Sequence, residues 1–522
     1  MPSTKSTKIG LILLIGLVNS AVDAKVISKL VTKPIGSPCS ALFDYAGKVY
    51  FCARHPLYGE ELHTHNGLGQ FSTETVVDLI PGVQGSSPFG FFELNGSLFF
   101  FANTPSAGYA LWRTDGTSQG TQLVRSISQD FGVYPTRINA IITQRETVVG
   151  EVNGHVYFEG YNSPSDTAVT STPAKLFVSN GTSAGTQEVI GANLVAGTSD
   201  SVRTNYQVHN NSLLYLSNGS LNAVSGSTNT PIATLPFTPG FRTTQFTKIS
   251  FLGNRVINAD GGIWLTNGST AGTILFRQAV APEAPYHYLT AIAALNSGLV
   301  YIANQAPESF PTLRITSAPN DTVLLTEESG FGPVSPTQTV FNNRILVRDK
   351  LNTYSSGGLA TGGTSTAVSN LYSAYETGSG FLGYSGTPSV QNSASSLVTF
   401  DPITLSTQLI KSELRKSKIL GDNGSTTVFS NVKVNGVGEI WATNGNIGNA
   451  ILLKGGFGSL DLTPLRDSGA RSYFLNHLNT LPTGEMWTSN GTSTGTYPLK
   501  FQYTHSYNPG TISAIASLLL GD

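Results

Sequence analysis

The first candidates for chemistry are His55, Glu60, Glu61, His63 and His65, gathered in one short segment near the start of the chain. His63 and His65 stand at i and i+2, on one face of a strand, a spacing at which two imidazoles and a carboxylate hold a metal ion. The competing reading is a worn repeat copy in which His63 takes the slot of a tryptophan. A credible metal site needs more convergent ligands, so no metal residue is nominated. Asp115 is an acid or ligand by type, but it stands in an Asp-Gly turn that accounts for it. Gly-x-Ser-x-Gly occurs around Ser118, Ser183 and Ser493. A nucleophile elbow needs a strand before that string and a helix after it. Here it follows a turn and precedes a strand each time, so the serines read as turn residues. His-Glu-x-x-His and a Walker-type loop do not occur. The acidic residues are too scattered to nominate a glycosidase pair. No catalytic residue and no cofactor is therefore expected.

The chain has two cysteines, Cys39 and Cys52. A hairpin centred on Tyr45 and Ala46 sets them across from each other, and their separation is compatible with a disulfide. That bridge is favoured in an oxidising compartment. The compartment is read from the first residues: Lys5 and Lys8, then a largely apolar run from Ile9 to Val18, then Val22-Asp23-Ala24. These have the order of a secretory leader over residues 1–24, and the apolar run is too short to span a bilayer. Residues 25–522 form the mature chain. Sequons stand at Asn95, Asn180, Asn210, Asn218, Asn267, Asn320, Asn423 and Asn490. They are glycosylation candidates in a eukaryotic secreted protein. The alternative is that Asn-Gly-Thr is good turn chemistry and generates sequons incidentally.

The elements that position these residues come from a repeat. All four tryptophans fall in one pattern: Leu111-Trp112-Arg113-Thr114-Asp115-Gly116, Ile263-Trp264-Leu265-Thr266-Asn267-Gly268, Ile440-Trp441-Ala442-Thr443-Asn444-Gly445 and Met486-Trp487-Thr488-Ser489-Asn490-Gly491. A fifth copy, Leu176 to Gly181, has Phe177 in the slot, and the first copy is reduced to Leu62-His63-Thr64-His65-Asn66-Gly67. The Asp-Gly or Asn-Gly pair supplies the positive φ of a tight turn between two strands. Upstream of each copy stands another, often aromatic, strand, as in Lys48-Val49-Tyr50-Phe51 and Leu98-Phe99-Phe100-Phe101. With that strand as marker, weaker copies appear near Leu214, Val256, Leu346, Leu382, Val428 and Tyr473. About ten units result, one roughly every 35 to 60 residues. Each has room for about four short strands and no helix. So small a sheet must stack on its neighbours. The expected fold is all-β, a β-propeller of about ten four-stranded blade-like repeats, with tandem β-sandwich-like units as the alternative. The aromatic slots, Trp112, Phe177, Trp264, Trp441 and Trp487, read as packing between blades.

The pattern resembles the ELWxxDGT repeat family, best over Ala110 to Thr121 and nearly as well over Glu485 to Thr496. The resemblance implies a secreted or surface protein with a propeller-like fold and brings no assigned reaction or catalytic residue. Asn replaces the motif Asp in all good copies but one, and the stretch from Gln305 to Ser406 is degenerate. Thr511 to Leu518 resembles Thr290 to Leu295, which there leads into an aromatic strand. A terminal strand completing another blade is favoured over an array cut short.

Composition narrows the function. Among 522 residues, 30 Lys and Arg face 31 Asp and Glu, and only 12% are charged. No basic excess is available for nucleic acid. With 39% hydrophobic residues the chain builds a core rather than staying disordered. No later segment is long enough for a membrane span. The expected function is a secreted, non-enzymatic extracellular binding or structural module with a protein or glycan partner. The alternatives are a lectin-like propeller with sugar-stacking tryptophans, or a secreted hydrolase or oxidoreductase with a central-channel site.

Overall fold

The computed structural model describes residues 27–507 apart from 136–147, 162–174, 193, 195–204, 237–244, 260–261, 279–288, 297, 304–311, 317–320, 327–338, 342–343, 349–351, 358–365, 370, 379, 386–393, 402–403, 405, 458–460 and 478–483. The leader expected over residues 1–24, the C-terminal strand expected at Thr511 to Leu518 and the sequon Asn320 lie outside the described residues.

Alternating strands joined by Gly turns build a succession of small antiparallel sheets in chain order, over residues 43–77, 89–126, 134–188, 205–234, 245–278, 289–326, 339–369, 371–414, 419–457 and 462–498. Nine have four strands, and the third has an extra short strand at its first edge. One short helix, Ile127–Phe131, follows the second sheet, capped by the Ser126 side chain. The chain divides into two compact units. The larger, residues 34–500, holds these sheets. In the other, strand Ile27–Pro34 pairs with Lys500–Tyr507.

The weak repeat copies lie on the second strands of their sheets, as with Leu214 in Ser212–Ser217, Leu346 in Arg344–Arg348 and Tyr473 in Arg471–Asn476. Lys48–His55 and Ser97–Thr104 each expose a single residue, and Ser212–Ser217 and Arg471–Asn476 expose none, so these strands have no polar face. A strand covered on both sides reads as a continuous apolar run, which is how these segments stood out. Many hairpins ahead of them turn through two residues at positive φ, as in Asn95-Gly96 (51° and 72°) and Asn153-Gly154 (50° and 71°).

The core is a series of layers between successive sheets. Phe99, Phe101 and Leu111 of the second sheet meet Val156, Phe158 and Phe177 of the third, and the other described clusters repeat the arrangement. Each such large side chain removed from water contributes roughly 1.5–3 kcal/mol. The tenth sheet also touches the first. Arg466 Nε donates to Asp44 Oδ2 at 2.7 Å, Tyr473 Oη lies 3.1 Å from His65 Nδ1, and Tyr497 Oη donates to the Gly67 carbonyl.

The cysteines form a disulfide, with Cα atoms 5.0 Å apart. The hairpin differs from the one expected. Its turn is Ala46-Gly47 and its pairs run from Tyr45↔Lys48 to Phe43↔Tyr50, so Cys39 lies beyond the paired strand. Cys39 instead reaches its partner through a backbone hydrogen bond to the Cys52 carbonyl.

Candidate functional site

The signature aromatics occupy equivalent positions. Phe100 pairs with Trp112, Phe158 with Phe177, Ile257 with Trp264, Phe429 with Trp441 and Phe474 with Trp487. In every case the side chain packs in the layer between its own sheet and the preceding one. Trp487 is 8% exposed, and Trp112, Trp264 and Trp441 are partly buried. A partner for the indole is visible in two copies. Trp441 Nε1 donates to Glu439 and Trp487 Nε1 to Glu485, each two residues upstream on the same strand face. Ala110 and Gly262 stand there in the other copies, and Trp112 Nε1 and Trp264 Nε1 are buried without a partner among the described residues. Burial pushes the Glu439 carboxyl up, but Lys433, the Trp441 indole and Asn431 outweigh it and hold it below its ordinary value. This acceptor was legible as the Glu of Glu439-Ile-Trp441 and Glu485-Met-Trp487, but sequence reasoning passed over it.

The motif turn differs from the tight hairpin expected. In the second sheet the strands Gly108–Thr114 and Gln122–Ser126 are joined by a longer loop. The Thr117 N–H and hydroxyl both donate to Asp115 Oδ1 (2.9 and 2.7 Å), and the Gly120 N–H donates to Thr117 Oγ1. Asn180, Asn267 and Asn490 make the same pair of bonds through their carboxamide oxygens. Positive φ falls on the glycine alone, +94° at Gly116, where an added Cβ would meet Tyr50 Oη of the preceding sheet. Ser118, Ser183 and Ser493 lie inside these loops. Asn95 and Asn218 occupy exposed two-residue turns, whereas the Asn210 and Asn423 amides donate to the carbonyls of Asn267 and Ala470.

In the first sheet His63 pairs with Phe51, the register that the indoles hold elsewhere. Its Nε2 is 3.0 Å from the Ala53 carbonyl and its Nδ1 3.2 Å from Thr75 Oγ1. His65 is held by Tyr473 Oη and the Gly69 carbonyl. Burial lowers His63 to about 3 and both His55 and His65 to about 4, so all three are neutral. The ring nitrogens of His63 and His65 are thus directed at protein atoms rather than toward a common point. Glu60 lies near Cys39 and Cys52, but their sulfurs are bonded to each other and offer no thiolate ligand.

The two carboxylates beside these histidines organise a cleft. The crossover from the first sheet to the second doubles back so that Gly85 bridges Glu60, the Ser87 N–H donates to the Glu60 carbonyl, and the Asn103 N–H donates to the Ser86 carbonyl. Backbone lies on backbone here. A Cβ on Gly85 would fall on the Glu60 backbone, and one on Gly59 would meet Gly85 N at 2.6 Å. Glu61 is fully buried and accepts from the N–H groups of Ile80 and Ser86 and from the Ser86 hydroxyl. Burial outweighs those bonds and raises its carboxyl to about 7. The Ser87 hydroxyl donates to Glu60 Oε2 from a left-handed backbone, φ +49°. Above this floor a cavity of about 360 Å³ opens between the crossover and the second sheet, walled by Ile80, Gln84, Asn103, Pro105 and Tyr109. No residue of this cleft was singled out in the sequence apart from the Glu60 and Glu61 beneath it. Its wall is contributed by a crossover loop and by the turn between the second sheet's middle strands, neither of which carries a motif.

No protein-family model matches this chain, and no curated protein matches it. Among solved structures it is similar to AztD of Citrobacter koseri, at 11% identity over 65% of this chain and 96% of that one, with a TM-score of 0.32. It is similar to a eukaryotic initiation factor at 11% identity, 78% and 96% coverage and a TM-score of 0.40. A third is the extracellular domain of the one component system BT4673 from B. thetaiotaomicron, at 10% identity, 93% and 75% coverage and a TM-score of 0.30.

Proposed function

We propose that the mature chain is a secreted, closed ten-bladed β-propeller acting as a non-enzymatic extracellular binding module. The observation that carries this reading is the seam between the tenth and first sheets, Arg466 with Asp44 and Tyr473 with His65. Radial stacking gives every sheet one predecessor and one successor, and the first sheet's predecessor is then the tenth. Tandem sandwiches pair sheets two by two and leave no reason for that seam. A leader-like N-terminus and a disulfide both suit an oxidising compartment. The residue types able to do chemistry have structural tasks: Asp115 holds a turn, Ser118 lies within it, and the His63 and His65 nitrogens bond neighbouring strands. What remains is a rigid frame presenting loops, the usual division of labour for a binding scaffold.

Expression of the full chain in a secretory host should deliver protein lacking residues 1–24 to the medium. The purified mature chain should then bind saturably to a member of a glycan array or an extracellular protein panel, with and without chelator. Intracellular retention with an intact N-terminus would overturn the secreted reading. Turnover of a substrate abolished by a single substitution would overturn the non-enzymatic one.

A further inference from the structure

We infer that the cleft between the first crossover and the second sheet is a binding site for a neutral mono- or disaccharide, contacted by the Tyr109 ring and the side-chain amides of Gln84 and Asn103. This rests on the binding-module reading and names its ligand class. The cavity, about 360 Å³, falls in the range of small-molecule clefts, roughly 300–1,000 Å³. Its wall combines one aromatic ring with uncharged hydrogen-bonding groups and includes no Lys or Arg. Asn103 and Tyr109 are direct cross-strand partners, so an amide and a ring stand side by side. Tyr109 is braced edge-on by Phe89 and Tyr134, which fixes the ring. Neither amide, nor the Tyr109 hydroxyl, has a hydrogen-bond partner among the described residues. The Ser87 hydroxyl is held against Glu60 by a backbone conformation that serine rarely adopts, and such strain concentrates at ligand sites.

The charges select among ligands. The Glu60 carboxylate underlies the cleft and repels anions, so phosphorylated, sulfated or sialylated compounds are disfavoured. A cation finds Glu61 already engaged by three donors. A peptide strand needs an open edge of backbone groups, whereas this wall presents two side-chain amides beside a ring, with the Ser86 and Ser87 hydroxyls already given to Glu61 and Glu60. Hydroxyls with an apolar sugar face fit that wall.

The test is calorimetric titration of the mature chain with methyl glycosides of glucose, galactose, mannose and xylose, and with their disaccharides. Sialyllactose, a sulfated disaccharide and an uncharged tetrapeptide serve as competing probes. A neutral sugar is expected to bind, with affinity falling at least ten-fold in Asn103→Ala and in Tyr109→Ala. Gln84→Ala and Tyr109→Phe are expected to fall less. Asn103 and Gln84 are exposed, so their variants retain the fold if Tyr109→Ala does not. Neutral-sugar binding unchanged in all four variants overturns the site, and binding only to an anionic probe or the peptide overturns the ligand class. If no probe binds while the protein panel yields a partner, this inference fails and the binding-module reading stands. Silence in both sinks the two together.

Discussion

A buried indole carries one donor, and the sheets treat it in two ways. Glu485 receives that of Trp487 at 2.9 Å and Glu439 that of Trp441 at 3.0 Å, while those of Trp112 and Trp264 have no acceptor among the described residues. An unmet buried donor costs about 1–3 kcal/mol, so removing it relieves a penalty. Trp112→Phe and Trp264→Phe are therefore expected to leave stability unchanged or raise it by up to about 1 kcal/mol. Trp487→Phe strands Glu485 and is expected to cost about 1–2 kcal/mol. Trp441→Phe should cost less, because Lys433 and Asn431 still hold Glu439. Melting temperatures of the four variants, measured together, check the order. Equal losses at all four positions would show that packing alone sets the slot. The slot itself was legible because a rare residue type recurred at one offset. The acceptor was harder to see, since its placement depends on strand periodicity at only two copies.

At the scale of one element, the first sheet concentrates the titrating groups. His55, His63 and His65 lie below their ordinary 6.5, at about 4, 3 and 4. The unfolded chain therefore binds more protons, and their contribution, complete above about pH 6.5, is lost as pH falls toward 4. Glu61 works the other way. Raised from 4.5 to about 7, it keeps its proton longer in the folded chain, so its contribution is complete below 4.5 and fades as pH climbs through about 7. Three histidines outweigh one carboxyl over this shared window, so the melting temperature should climb along an acid limb from about pH 4 and level off near neutrality. Glu61→Gln keeps an acceptor for Ile80 and Ser86 and, by removing the opposing contribution, should steepen the rise between about pH 4.5 and 7. His63→Phe, which installs the aromatic that Phe177 provides elsewhere, should flatten the acid limb. A pH profile indistinguishable from the parent's in either variant would refute that assignment. The motif loop makes a separate prediction. Asp115 and Asn180 accept the same two bonds from the following threonine, so Asn180→Asp, Asn267→Asp and Asn490→Asp should leave melting within about 0.5 kcal/mol while erasing the sequons. The corresponding alanine variants should lose about 1 kcal/mol each, as capping-type bonds do. Intact mass in a secretory host reports any glycan removed. Sequence placed this loop correctly and mistook its conformation, because Asn-Gly supports both a two-residue hairpin and a side-chain-closed turn.

For the whole molecule, the unit number was legible from the marker strands even across the degenerate stretch, since an apolar run such as Ile345-Leu346-Val347 persists there after the turn motif has decayed. The crossover cleft was not, because Gly85, Asn103 and Tyr109 acquire meaning only when two sheets meet. Closure makes the sharpest global claim. In an open array each unit depends on its immediate neighbours, so removing the last one loosens only the one before it. In the proposed ring the tenth sheet is also a neighbour of the first, through Arg466, Tyr473 and Tyr497. Deleting residues 462–498 while retaining both terminal segments is expected to raise amide exchange at 43–77 as much as at 419–457. The middle sheets should respond later. The exposed ion pair alone is worth at most about 1 kcal/mol, so Arg466→Ala should give a weak version of this effect. Tyr473→Ala, which empties a buried position against His65, should give a strong one, about 3–5 kcal/mol. Exchange confined to 419–457 in the deletion, with residues 43–77 as protected as in the parent, would mean that the first sheet does not depend on the tenth and that the seam contributes nothing to holding the molecule together.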